Sequence, residues 1–170
     1  PQRHRTLRDA ISWSYDLLPA VEQRHFRWLA CCAGGFSLET AEQMCQQASS
    51  TPAVPVLTHL VDASLVQSRR VGERSRFDVL DTIREFGIEK LIESGEIDDV
   101  AQAHAEAMLA FALDTAPYLF PSAGLESRLQ LVEDDLENLR LAFRWLERYD
   151  PAQCGRLASA LAQFWVRRSM

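Results

Sequence analysis

Apolar residues recur at steps of three and four along almost the whole chain, and that period commits it to helices. Leu7, Ala10, Ile11, Ser14, Tyr15 and Leu18 predict a first helix over about residues 6–17. Val21, His25, Trp28, Leu29 and Cys32 predict a second. Pro19 suits its first position, where a missing N–H costs nothing, and Gly34-Gly35 ends it. Ser37 is placed to cap a third helix with the stripe Leu38, Ala41, Met44, Cys45 and Ala48. After a loop over residues 48–55, Pro55 opens a fourth through Val56, Leu57, Leu60, Val61 and Leu65.

One stretch breaks the helical period. Residues 65–69 and 75–80 read as two short strands joined by a turn over 71–74, and Phe77 and Val79 alternate with polar Arg76 and Asp78. Helices followed by a β-hairpin are the order of a winged-helix unit. A longer helix over Asp81–Ser94 then stops at Gly95, and residues 94–98 mark the boundary. The predicted organisation is a winged-helix regulatory domain over 1–95 and a helical, tetratricopeptide-like region over 96–170, the start of a longer array.

Beyond the boundary everything reads as helix. Val100, His104, Ala107, Met108 and Phe111 form one stripe. Leu125, Leu129, Val132, Leu136, Leu139, Phe143 and Leu146 form a second, read as one unbroken helix up to Asp150-Pro151. A last helix carries Leu157, Leu161, Phe164 and Trp165, so the final two make an antiparallel hairpin. The fold class is mainly α, with one small β-hairpin. In the helix over Asp81–Ser94, Ile83 and Phe86 are expected to close the winged-helix core. Ile88, Leu91 and Ile92 are expected to pack on the helix that follows.

Composition narrows the function. No apolar run approaches the ~20 residues of a membrane span and no signal-peptide pattern occurs, so no integral membrane protein is expected, and the expected location is cytoplasmic. Opening on Pro1 and ending at Met170 inside a helical pattern, it reads as a piece of a longer protein. Cys31, Cys32, Cys45 and Cys154 show no metal-ligand spacing, and Cys31, Cys32 and Cys45, within apolar helical patterns, read as small buried hydrophobes in a reducing cytosol. Residues 1–95 hold 11 basic and 12 acidic side chains and residues 96–170 hold 7 and 12, so the second half opposes a nucleic-acid surface.

No catalytic or metal-binding motif occurs. There is no G-x-x-x-x-G-K-[ST], no G-x-S-x-G and no H-E-x-x-H. His25 and His104 lie on apolar stripes as packing histidines, and Glu133-Asp134-Asp135 reads as a solvated helix flank. The chain itself is expected to be no enzyme and to hold no cofactor.

Arg5-x-Leu-x-x-Ala-Ile-x-Trp-Ser-Tyr-Asp-Leu-Leu18, then Glu22-Gln23-x-x-Phe26-Arg27-x-Leu29 and Gly34-Gly35-Phe36-x-Leu38-x-x-Ala41-Glu42, is similar to the winged-helix region of bacterial STAND-type regulators. These are NTPases of the LuxR-like and AfsR-like group of transcriptional activators. Leu80-Asp81-Thr82-Ile83-Arg84-Glu85-Phe86 resembles the family's LETIREYA stretch. Asp135-Leu136-Glu137-Asn138-Leu139-Arg140 resembles the HDNLRAAL of its helical repeats. The resemblance implies an NB-ARC-like core binding ATP or ADP upstream and repeats that hold a protein partner or inducer, with DNA bound through another domain. It also places Leu80 and Asp81 where relatives carry a nucleotide-sensing His-Asp pair. A Leu cannot donate to a phosphate, and Asp81 suits a helix cap.

Three readings follow. The chain is a non-catalytic regulatory arm that relays nucleotide state to the repeats, or a winged helix that itself binds DNA, or a scaffold without an ATPase. The DNA reading rests on a basic wing of Arg69, Arg70, Arg74 and Arg76. The predicted recognition helix offers only Thr58, His59, Asp62 and Ser64.

Overall fold

A computed structural model describes residues 2–71, 74–121 and 124–168. The elements run α1 (Gln2–Asp16), α2 (Ala20–Leu29), β1 (Phe36–Ser37), α3 (Leu38–Ser49), α4 (Ala53–Asp62), β2 (Gln67–Val71) and β3 (Arg74–Asp78). Then come α5 (Asp81–Ser94), α6 (Ile97–Thr115), a 3-10 turn over Ala116–Tyr118, α7 (Leu125–Asp134), α8 (Leu136–Tyr149) and α9 (Pro151–Arg168). The chain divides into two compact units between Val100 and Ala101, inside α6. No described helix is long and apolar enough to cross a membrane.

The first unit has winged-helix connectivity, with α2, β1, α3, α4 and the β2–β3 hairpin in that order. Its sheet is antiparallel in the order β1-β3-β2. β1 is absent from the sequence reading. It is two residues long, pairs Phe36 with Phe77, and stacks their rings 5.8 Å apart. Gly34 and Gly35 both adopt positive φ to turn the chain into it. A Cβ on Gly35 would stand 2.7 Å from the Phe77 carbonyl oxygen, so glycine is required there.

Local chemistry sets most boundaries. Ser37 caps α3 as expected, its hydroxyl accepting from the Thr40 amide at 3.1 Å. α2 starts at Ala20, with Pro19 at the cap position. α4 starts at Ala53, two residues before the expected Pro55. Pro55 then falls at the third helical position, where an amide would still lack an intrahelical acceptor. The hairpin starts at Gln67 because the Leu65 and Val66 amides both bond the Leu60 carbonyl, at 3.0 and 3.2 Å. Those two buried residues end α4 and cannot join the ladder.

The core of this unit surrounds α2. Phe26, Leu29, Phe36, Met44, Leu60 and Leu91 are almost completely buried. The Tyr15 ring lies 5.7 Å from Phe26 and 5.5 Å from Phe86, binding α1 and α5 to α2. Ile83, Phe86 and Leu91 are buried on α5, but Ile92 is 58% exposed.

The second unit has its own core of Met108, Ala112, Leu119, Leu129, Val132, Leu139, Leu146, Leu161 and Phe164. The expected single helix over 125–146 is two helices, broken at Asp135. Asp135 is buried, and its carboxylate accepts from the Asn138 side-chain amide at 2.9 Å. The Asn138 oxygen in turn lies 3.3 Å from His104 Nε2. Asp135 is thus an anchor for the break and no part of a solvated flank. α8 and α9 form a helical hairpin, where Asp150 Oδ1 accepts from the Gln153 amide at 3.1 Å and caps α9.

Gly87 permits the approach of α5 to α2, since a Cβ there would sit 2.5 Å from the Ala30 Cβ and 3.2 Å from the Phe26 ring. Alanine ordinarily gains up to about 1 kcal/mol over glycine inside a helix. Here overpacking of about 1–3 kcal/mol opposes that gain. Gly87→Ala is expected to lower the urea midpoint of the chain, whereas a rise would show that α5 has room to withdraw.

Candidate interaction surface of the winged-helix unit

In winged-helix connectivity the helix before the hairpin is the one that reads DNA, and here that is α4. Its buried face is Ala53, Val56, Leu57 and Leu60. The opposite face presents Val54, Pro55, Thr58, His59 and Asp62. None is Lys or Arg. The Thr58 hydroxyl is already engaged, donating to the Val54 carbonyl at 2.9 Å. His59 Nδ1 donates to the Glu22 carboxylate of α2 at 2.6 Å. A helix entering a groove needs cations for phosphate and amide or guanidinium groups for base edges, and this face offers neither.

The wing is less basic than its sequence. Arg69 is exposed but donates to Asp78 at 2.5 Å. Arg70 and Arg74 are exposed, with no ion pair among the described residues. Arg76, expected to alternate outward, is only 5% exposed. Its guanidinium turns inward and donates to the Gly34 and Gly35 carbonyls at 3.2 and 3.3 Å. It ties the turn before β1 to the hairpin and is no wing contact. Glu73 lies outside the described residues.

Leu80 and Asp81 stand where the hairpin enters α5. Leu80 occupies the cap position and is 50% exposed, so Asp81 is the first helical residue and makes no side-chain cap bond. Its exposed carboxylate opposes the positive end of the α5 dipole, a favourable placement. Neither side chain offers a donor to a phosphate.

His25 is a packing histidine, with Nδ1 at 2.7 Å from the Val21 carbonyl and Nε2 at 3.1 Å from the Ser49 hydroxyl. Burial pushes the Cys45 thiol up to about 12, which leaves it without nucleophilic thiolate. The feature that periodicity could not reveal is Glu96, on which side chains of α2 converge from two arginines.

No family model matches the chain, and no solved structure matches it. Over 99% of its length it is 37% identical to a protein of Mycobacterium tuberculosis (strain H37Rv) named "Putative HTH-type transcriptional regulator", and equally to a Mycobacterium bovis protein of the same description. The chain is similar, nearly end to end, to one segment of those proteins. It spans about a fifth of the length of these curated relatives, 19% of each. A shorter match, 33% over 98 residues, covers 56% of this chain and 25% of an uncharacterized protein of the same Mycobacterium tuberculosis strain.

The His59–Glu22 contact has a pH dependence of defined sign. The hydrogen bond that His59 donates to Glu22, with the charge of that carboxylate, raises the His59 pKa above the ordinary 6.5. The stability it contributes is therefore fully present below 6.5 and disappears as pH rises through the folded value. The stability difference between the wild-type chain and His59→Gln should be largest at acidic pH and vanish in alkali. A difference that grows with pH would contradict the contact.

Proposed function

We propose that this chain is a non-catalytic regulatory segment of a transcriptional regulator, whose winged helix contacts protein rather than DNA. In the fuller form of this reading it is the arm of a STAND-type ATPase. It relays the ATP or ADP state of an upstream NB-ARC-like core to cytoplasmic helical repeats that hold a partner or inducer, while another domain binds DNA. The observation that carries the reading is the exposed face of α4, which has no lysine or arginine and whose only ionisable base, His59, is tied to Glu22. The motif resemblance and the regulator names of the relatives support the wider context.

The second reading, a DNA-binding winged helix, draws on exposed Arg70 and Arg74 and on the "HTH-type" label. That label describes proteins of which this chain spans a fifth, and the label alone does not place the helix-turn-helix in the shared segment. Two exposed arginines beside a neutralised Arg69 supply weak phosphate contact without base readout.

The regulatory reading assigns nucleotide to a different domain. Calorimetric titration of the chain with Mg-ATP and Mg-ADP should show no binding at micromolar concentrations. A dissociation constant near or below ~1 μM, which needs about 8 kcal/mol of contacts, would place the nucleotide site here and overturn the assignment.

A further inference from the structure

Glu96 lies in the two-residue corner between α5 and α6, within the first unit. Gly95, in the left-handed region at φ 72°, ends α5. The Glu96 carbonyl then accepts the Val100 amide at 3.0 Å and begins the α6 ladder. Its carboxylate is the meeting point of the unit. Arg24 Nε donates to Oε1 at 2.5 Å, and Arg27 donates to Oε2 through NH2 at 2.6 Å and Nε at 3.2 Å. The Ser94 hydroxyl adds a donor at 3.0 Å, and Trp28 Nε1 stands 3.5 Å away.

The two arginines are themselves held. Arg27 also donates to the Tyr15 hydroxyl of α1 at 2.9 Å. Arg24 reaches the Ala48 carbonyl at the end of α3, and its guanidinium lies 5.2 Å from the Trp28 ring centre. The Arg27 and Glu96 side chains are 15% and 16% exposed, so water screens this pair far less than it does the exposed Arg8–Glu89 pair. Burial alone would raise the Glu96 carboxyl, but hydrogen bonds from Arg27, Ser94 and Arg24 hold it below its ordinary 4.5. The carboxylate is therefore charged throughout the neutral range, and proton uptake there does not release it.

We propose that Glu96 is a conformational lock, bolting the α5–α6 corner to α2 so that residues 92–100 are held as part of the winged-helix unit and do not open as a local hinge. The lock goes beyond the regulatory reading and does not depend on which protein the unit contacts. Short polar corners such as Ser94-Gly95-Glu96 are ordinarily mobile, and this one is held by two arginines.

Amide hydrogen exchange on the whole chain tests it, comparing wild type with Glu96→Gln, which keeps the shape and removes the charge. Exchange across residues 92–100 should accelerate about tenfold or more in the variant, with protection of α3 and α4 unchanged. Arg24→Gln, which spares the Arg27 contacts, should give a smaller acceleration at the same place and provides the measurement if Glu96→Gln fails to fold. Glu89→Gln, which breaks only the exposed pair with Arg8, should leave the corner unchanged. Unaltered exchange at the corner in the Glu96 and Arg24 variants would overturn the lock. So would an equal acceleration across residues 26–91, which would reduce Glu96 to general support of the fold.

Discussion

The winged-helix unit depends on the burial of one side of α2. Phe26, Leu29 and Ala30 are completely excluded from water, and Trp28 nearly so. Phe26 meets Tyr15 from α1 and the backbone of α5 at Gly87, so three helices share one side chain. Burying a phenylalanine contributes roughly 1.5–3 kcal/mol. That is a large share of the 5–15 kcal/mol that separates folded from unfolded states. The same helix turns its polar residues to the rim, where Arg24 and Arg27 take hold of Glu96 and Glu22 holds His59. One short helix thus supplies both the apolar centre and the charged clasps around it.

Much of the positive charge of this unit is held in internal contacts. A nucleic-acid surface leaves its cations facing outward. Here Arg24, Arg27, Arg69 and Arg76 are committed to internal acceptors, and Arg76 is buried. The exposed face of α4 carries Val54, Pro55, Thr58, His59 and Asp62, with no lysine or arginine.

Much of this fold was legible in the sequence. The helices announce themselves by period, and Ser37 and Gly95 mark ends because a side-chain acceptor and a left-handed cap are local devices. The failures share a cause, which is partners distant in sequence or too little sequence to carry a pattern. β1 is two residues long, below any period. The break at Asp135 is invisible because a single residue separates α7 and α8 and the apolar steps of Val132, Leu136 and Leu139 continue across it. Arg76 looked like a wing residue because its acceptors are backbone carbonyls 42 and 41 positions away. Glu96 looked like one more acidic residue in a polar corner, since its partners lie 72 and 69 residues earlier. Leu80 and Asp81 were placed by resemblance, and they stand at an exposed helix start where neither side chain offers a donor to a phosphate.

The claim that this winged helix is a protein-contact module is tested most directly by fluorescence anisotropy of labelled duplex DNA, random and promoter-derived, titrated with the chain from low to ~150 mM salt. The account predicts weak binding at low salt, alike for every sequence and abolished near physiological salt, with Arg70→Glu/Arg74→Glu removing what there is. Sequence-selective binding that survives ~150 mM salt would contradict it and make α4 or the wing a true reading surface.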